Sequence, residues 1–106
     1  MLRKDGSIIR ILDRLQELLG VGSFDVVDKW DADLCAVGIA RPDDHGVLVY
    51  ISTFKVHGEG CWVSLELPPN AGSDDPFTPG GDRDVANVGE LADIVRQHFG
   101  LPLKDS

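Results

Sequence analysis

A chain of 106 residues with 10 Lys and Arg against 18 Asp and Glu has a formal net charge of −8 and the length of one domain. That balance excludes sequence-nonspecific nucleic-acid binding, which needs clustered cations to displace counterions from phosphates. At 42% hydrophobic and 26% charged residues the composition is that of a folded chain, and no apolar run approaches the ~20 residues of a membrane span.

Residues 1–20 carry Arg3, Lys4, Asp5, Arg10, Asp13, Arg14 and Glu17 among apolar positions. They interrupt any signal-peptide core, so the expected setting is cytoplasmic, with no membrane partner. Within this stretch Ile8, Ile11, Leu12, Leu15, Leu18 and Leu19 recur at three- and four-residue steps and predict an amphipathic helix over 8–19. Ser7 suits its N-cap and Gly20 its C-terminal stop. Residues 21–33 hold Phe24, Val26, Val27 and Trp30 with four Asp. Their spacing fits neither period, so the segment reads as a loop, with a short strand at 24–28 as the alternative.

From Leu34 the pattern changes to short β-branched and aromatic runs, 34–40, 47–54 and 61–67, divided by Pro42–Gly46 and Lys55–Glu59. Pairing Arg41 with Val47 and Thr53 with Cys61 stacks one face in three layers: Cys35, Thr53, Cys61; Val37, Ile51, Val63; Ile39, Val49, Leu65. The opposite face then carries Leu34, Ala36, Gly38 and Ala40, then Leu48, Tyr50, Ser52 and Phe54, then Trp62, Ser64 and Glu66. This order separates the strands of Cys35 and Cys61 by a third, too far for a disulfide. Both are expected to be free, buried thiols.

Residues 68–87 contain four Pro with Gly, Asn and Asp throughout and predict a long irregular loop. Asn87 and Glu90 form a capping-box pattern, and Val88, Leu91, Ala92, Ile94, Val95 and Phe99 predict a second amphipathic helix ending at Gly100. The expected fold is a single α+β domain over 1–106. Its order is α-β-β-β-α, with a three-stranded antiparallel meander, four-stranded if 24–28 joins, flanked by the two helices.

Catalytic and metal patterns are sparse. His57 lies near Cys61 on one hairpin, but a turn histidine and a core cysteine explain that pair better than a nucleophile and its base. Asp25, Asp28, Asp31 and Asp33 are dense, yet Ala32, Leu34, Cys35 and Ala36 do not supply the alternating oxygens, Gly and terminal Glu of a calcium loop. No metal, cofactor or catalytic residue is therefore expected, and the chain reads as non-enzymatic.

What remains is surface. If both helices pack on the Val37 face, Tyr50, Trp62, Phe54 and Leu48 form an exposed apolar patch of the residue types that anchor protein interfaces. Residues 21–95 carry −10 of charge and the flanking segments +1 each. Most of the acids are Asp, which favours loops, so Asp43, Asp44, Asp74 and Asp75 are candidate steering charges for a basic partner.

The runs Trp30-Asp-Ala-Asp-Leu-Cys-Ala-Val-Gly-Ile-Ala-Arg-Pro-Asp, Leu48-Val-Tyr-Ile-Ser-Thr and Trp62-Val-Ser-Leu-Glu-Leu-Pro-Pro resemble the small acidic immunity proteins encoded beside bacterial polymorphic toxins. The resemblance covers about residues 30–100 and rests on size, acidity and strand pattern. It implies a non-enzymatic inhibitor that masks a toxin's active site or an adjacent surface. Two other readings use the same features: a homo-oligomeric module, such as a homodimer pairing the aromatic face across a two-fold, and a small-ligand binder or enzyme with its pocket under the 68–87 loop.

Overall fold

The computed structural model describes residues 4–27, 32–54, 60–72, 74 and 77–101. Trp30, His57 and Asp75, all singled out above, lie outside them. The described elements are α1 (Gly6–Leu19), β1 (Asp25–Val27), β2 (Ala36–Arg41), β3 (Asp44–Ser52), β4 (Cys61–Leu67), β5 (Thr78–Val85) and α2 (Val88–Phe99). The strands form one antiparallel sheet in chain order, β1-β2-β3-β4-β5. The α+β class and the meander are as the sequence implies, but there are five strands instead of three or four.

Both helices pack on one face of this sheet. Ile8, Ile11, Leu12 and Leu15 of α1 and Leu91, Ala92, Ile94, Val95 and Phe99 of α2 join Val37, Ile39, Val49, Ile51, Cys61, Val63 and Val85 in a single core. The central register is the expected one: Val37 pairs with Ile51 and Ile51 with Val63, Ile39 with Val49 and Val49 with Leu65. Strict alternation of β-branched residues makes any one-residue slip turn this whole set toward water. At the hairpin end Arg41 pairs with Asp44, after a register shift, instead of with Val47. The turn there is Pro42-Asp43, and Asp44, His45 and Gly46 belong to β3.

The largest correction falls on residues 68–87, whose second half is a strand. Thr78–Val85 pairs with β4 as the outer edge of the sheet, where the missing N–H of Pro79 is tolerated. Gly80 allows close approach to β4, since a Cβ there would stand 3.1 Å from Leu65 Cβ. Gly81, at φ +102°, takes a backbone conformation that other residues adopt at a cost, beside the register shift between Ser64 and Glu66. The short β1 is the strand left open at 24–28.

The helix ends differ in one respect. Asp5 caps α1, accepting from the Ser7 backbone N–H at 3.0 Å, and Ser7 lies inside the helix. The Asp5 carboxyl is held below its ordinary value, chiefly by hydrogen bonds from Ser7. At the start of α2, Asn87 accepts from the Glu90 N–H at 2.9 Å, and Gly100 closes the helix in left-handed conformation. The ends of the two helices are joined by Arg96, 8% exposed, which donates to the Leu18 carbonyl of α1 at 3.0 Å and to Asp93 at 2.8 Å. Leu18 is among the last carbonyls of α1, which lack intrahelical donors.

Candidate functional site

The sheet face turned away from the helices is organised by register into three rows. Asp25, Ala40, Leu48, Glu66 and Pro79 form the first; Val27, Gly38, Tyr50, Ser64 and Asp82 the second; Ala36, Ser52, Trp62 and Asp84 the third. None of these positions carries Lys or Arg. The rows run from small residues on β2 to large aromatics on β3 and β4, with carboxylates at Glu66 on β4 and Asp82 and Asp84 on β5.

Tyr50 and Trp62 lie diagonally across β3 and β4, with ring centroids 5.9 Å apart at 75°, an edge-to-face contact. Both are half-buried. Burial and, after it, the negative charge of Asp33 push the Tyr50 phenol upward. The face is not open along its whole width. Leu48 is 1% exposed, and Ala36 and Ala40 are fully buried. Leu48 therefore is a core residue of this side and does not belong to an accessible patch. Phe54, in the turn after β3, is 64% exposed.

The acids nominated from the sequence lie elsewhere. Asp43 and Asp44 sit at the β2–β3 hairpin, at the far end of β3 from Ser52, eight residue steps or about 26 Å along an extended strand. Asp43 pairs with Arg41 at 2.7 Å, and Asp44 accepts from the Gly46 N–H at 3.0 Å, so both serve the turn. Asp74 is exposed in the β4–β5 connection at the same end. Their distance from the aromatic pair has a simple cause: Asp is frequent in turns because its side chain bonds nearby backbone, and the turns are at the sheet's end.

The carboxylates beside the aromatic pair are Glu66, Asp82 and Asp84. Among the described residues none of the three has an ion pair or a side-chain hydrogen bond, whereas Glu17, Asp25, Asp43 and Asp93 each pair with a cation or histidine. Sequence reasoning missed Asp82 and Asp84 because it placed them in a loop. The signal was present as Asp82-Arg-Asp84-Val85, a two-residue alternation running into the core residue Val85.

Cys61, the nucleophile of the catalytic alternative, is poorly suited to that role. Cys61 is 2% exposed, and burial, with the charge of Glu90, raises its thiol to about 11; such a thiol carries almost no nucleophilic thiolate near neutrality. Cys35 and Cys61 are both free. Among the described residues no cluster of three or more His, Cys, Asp or Glu could hold a metal ion, and no helix is long and apolar enough to cross a membrane. A cleft of about 850 Å³ lies between α1 and the start of α2, lined by Arg10, Arg14, Thr53 and Asn87. Among the described residues of the 68–87 stretch a hollow of about 220 Å³ lies against Gly80–Arg83, below the ~300 Å³ of ordinary ligand pockets.

No protein-family model, curated protein or solved structure matches the chain.

Proposed function

We propose that this chain is a non-enzymatic protein-binding domain whose sheet face opposite α1 and α2 docks a basic protein, in the manner of an immunity-type inhibitor masking a toxin. The observation that carries this reading is the half-buried Tyr50–Trp62 pair bordered by Glu66, Asp82 and Asp84, carboxylates without an ion pair among the described residues, on rows that hold no Lys or Arg. Rigid aromatics supply contact area at small entropic cost, and like-signed charges at the rim accelerate encounter with a partner of opposite sign. A face built on paired strands also keeps its shape when free, which favours inhibition by steric cover.

The test is affinity capture from the source cells with the tagged wild type and an Asp82→Asn/Asp84→Asn double variant, at low and moderate salt. The reading expects one basic protein, retained by the wild type at low salt, depleted at moderate salt, and recovered at least several-fold less by the variant. Equal recovery by both proteins, or an acidic partner indifferent to salt, overturns it.

A further inference from the structure

We infer that the Trp62–Asp84 row is a socket for an arginine side chain of the partner, with Asp82 as its second carboxylate. This rests on the docking reading above and specifies the chemistry of its anchor. Trp62 and Asp84 are directly opposed on β4 and β5, which places their Cβ atoms about 5 Å apart, and Asp82 lies on the diagonal at about 7–8 Å. Tyr50 meets Trp62 from the β3 side, so the indole is braced there and its β5 side adjoins the two carboxylates.

A cation laid against this side of the indole lies over an electron-rich ring and within reach of Asp84 at once. A guanidinium fits better than an ammonium. It is planar and weakly hydrated, stacks on an aromatic face, and presents parallel N–H groups to a carboxylate, where lysine offers a strongly hydrated point charge. Arg83, between the two acids in sequence, pairs with Val63 on the other face and so does not fill the socket from within the chain. Asp82 and Asp84 make no ion pair with any described residue. Their mutual repulsion across one strand is relieved by a single bound cation.

The probe is a hexa-arginine amide, compared with hexa-lysine amide at matched concentration, in a ¹⁵N NMR titration of the intact chain. The expected result is saturable shifts centred on the Trp62 indole N–H, Ser64, Asp82 and Asp84, with the arginine peptide binding at least about threefold tighter than the lysine peptide. Trp62→Leu is expected to weaken the arginine peptide about tenfold and to erase the arginine preference. Asp84→Asn, an exposed change that leaves the fold intact, should weaken it several-fold, which keeps the test valid should Trp62→Leu fail to fold. Equal binding of the two peptides, or shifts centred on the Asp43–Asp44 hairpin, overturns the socket. The failures are separable: a captured partner that needs the β5 acids but shows no arginine preference at Trp62 ends the socket alone, whereas a partner indifferent to the β5 acids ends the docking reading itself.

Discussion

Replacing Arg96 by Met isolates one tie between the helices. The Arg96 side chain is 9% exposed and joins α2 to α1 through the Leu18 carbonyl at 3.0 Å. Methionine keeps most of the aliphatic stem, so packing changes little and the loss is the guanidinium. A charge-assisted hydrogen bond to a carbonyl contributes about 1.5–3 kcal/mol, and a cation at a helix C-terminus adds a few tenths by opposing the helix dipole. The Asp93 pair adds less than about 1 kcal/mol, because Asp93 is 72% exposed and its charge is well screened. The expected destabilisation is therefore about 2 kcal/mol. At roughly 4–8 °C per kcal/mol for a domain of this size, the melting temperature falls by about 8–16 °C. Urea titration followed by far-UV circular dichroism reads the midpoint, with the slope unchanged between wild type and variant. Asp93→Asn is the control and should cost less than about 1 kcal/mol. A loss under about 0.5 kcal/mol for Arg96→Met, or an Asp93→Asn loss equal to it, refutes the assignment of the tie to the Leu18 carbonyl.

Two further outcomes follow from the same geometry. Because Cys61 titrates near 11 when folded and near 9 when exposed, the unfolded chain releases its proton first as pH rises. Stability should then fall between about pH 9 and 11, with Cys61 contributing a limiting slope of about 1.4 kcal/mol per pH unit, and Cys61→Ala should reduce the slope by that contribution, leaving the part due to the raised Tyr50 phenol; native-state thiol titration should also find Cys61 inert until the chain unfolds. Asn87→Ala removes the cap of α2 and should cost about 1 kcal/mol in urea titration, with Asn87→Ser close to wild type; equal losses would mean that the Asn87 side chain does not cap the helix.

The parts of the fold that were legible are those where one physical signal dominates. Alternation of Val37, Ile39, Val49, Ile51, Val63 and Leu65 made the central β2–β4 register legible, because only one pairing turns all six toward the helices; the shift at Arg41 left no such signal. The span of α2 and its Asn87 cap were equally plain. β5 was hidden because an edge strand need not satisfy both sides: Pro79, Gly80 and Gly81 read as loop formers, yet here one is tolerated at an edge, one admits close approach and one takes positive φ. The start of α1 was displaced because Asp5 and Ser7 are both good caps, and only the hydrogen bond from Ser7 to Asp5 distinguishes them.

The same gap displaced the acids of the site. The aromatic pair is readable from strand parity, but Asp82 and Asp84 stand on β5, whose sequence has the composition of a loop. Leu48 shows the converse: its parity is right and its burial is not, since parity gives a side and says nothing of what covers it. Arg96 reads as an ordinary basic residue near a helix C-terminus, and nothing local in the sequence places the end of α1 beside it.

The most direct measurement is capture of the partner by Trp62→Ala beside wild type, with Val21→Ala as a control at a residue 92% exposed and outside the sheet. With matched circular dichroism spectra for all three proteins, the docking account predicts that wild type and Val21→Ala recover the same basic protein and that Trp62→Ala loses at least nine-tenths of it. Undiminished recovery by a folded Trp62→Ala would contradict the account at its centre.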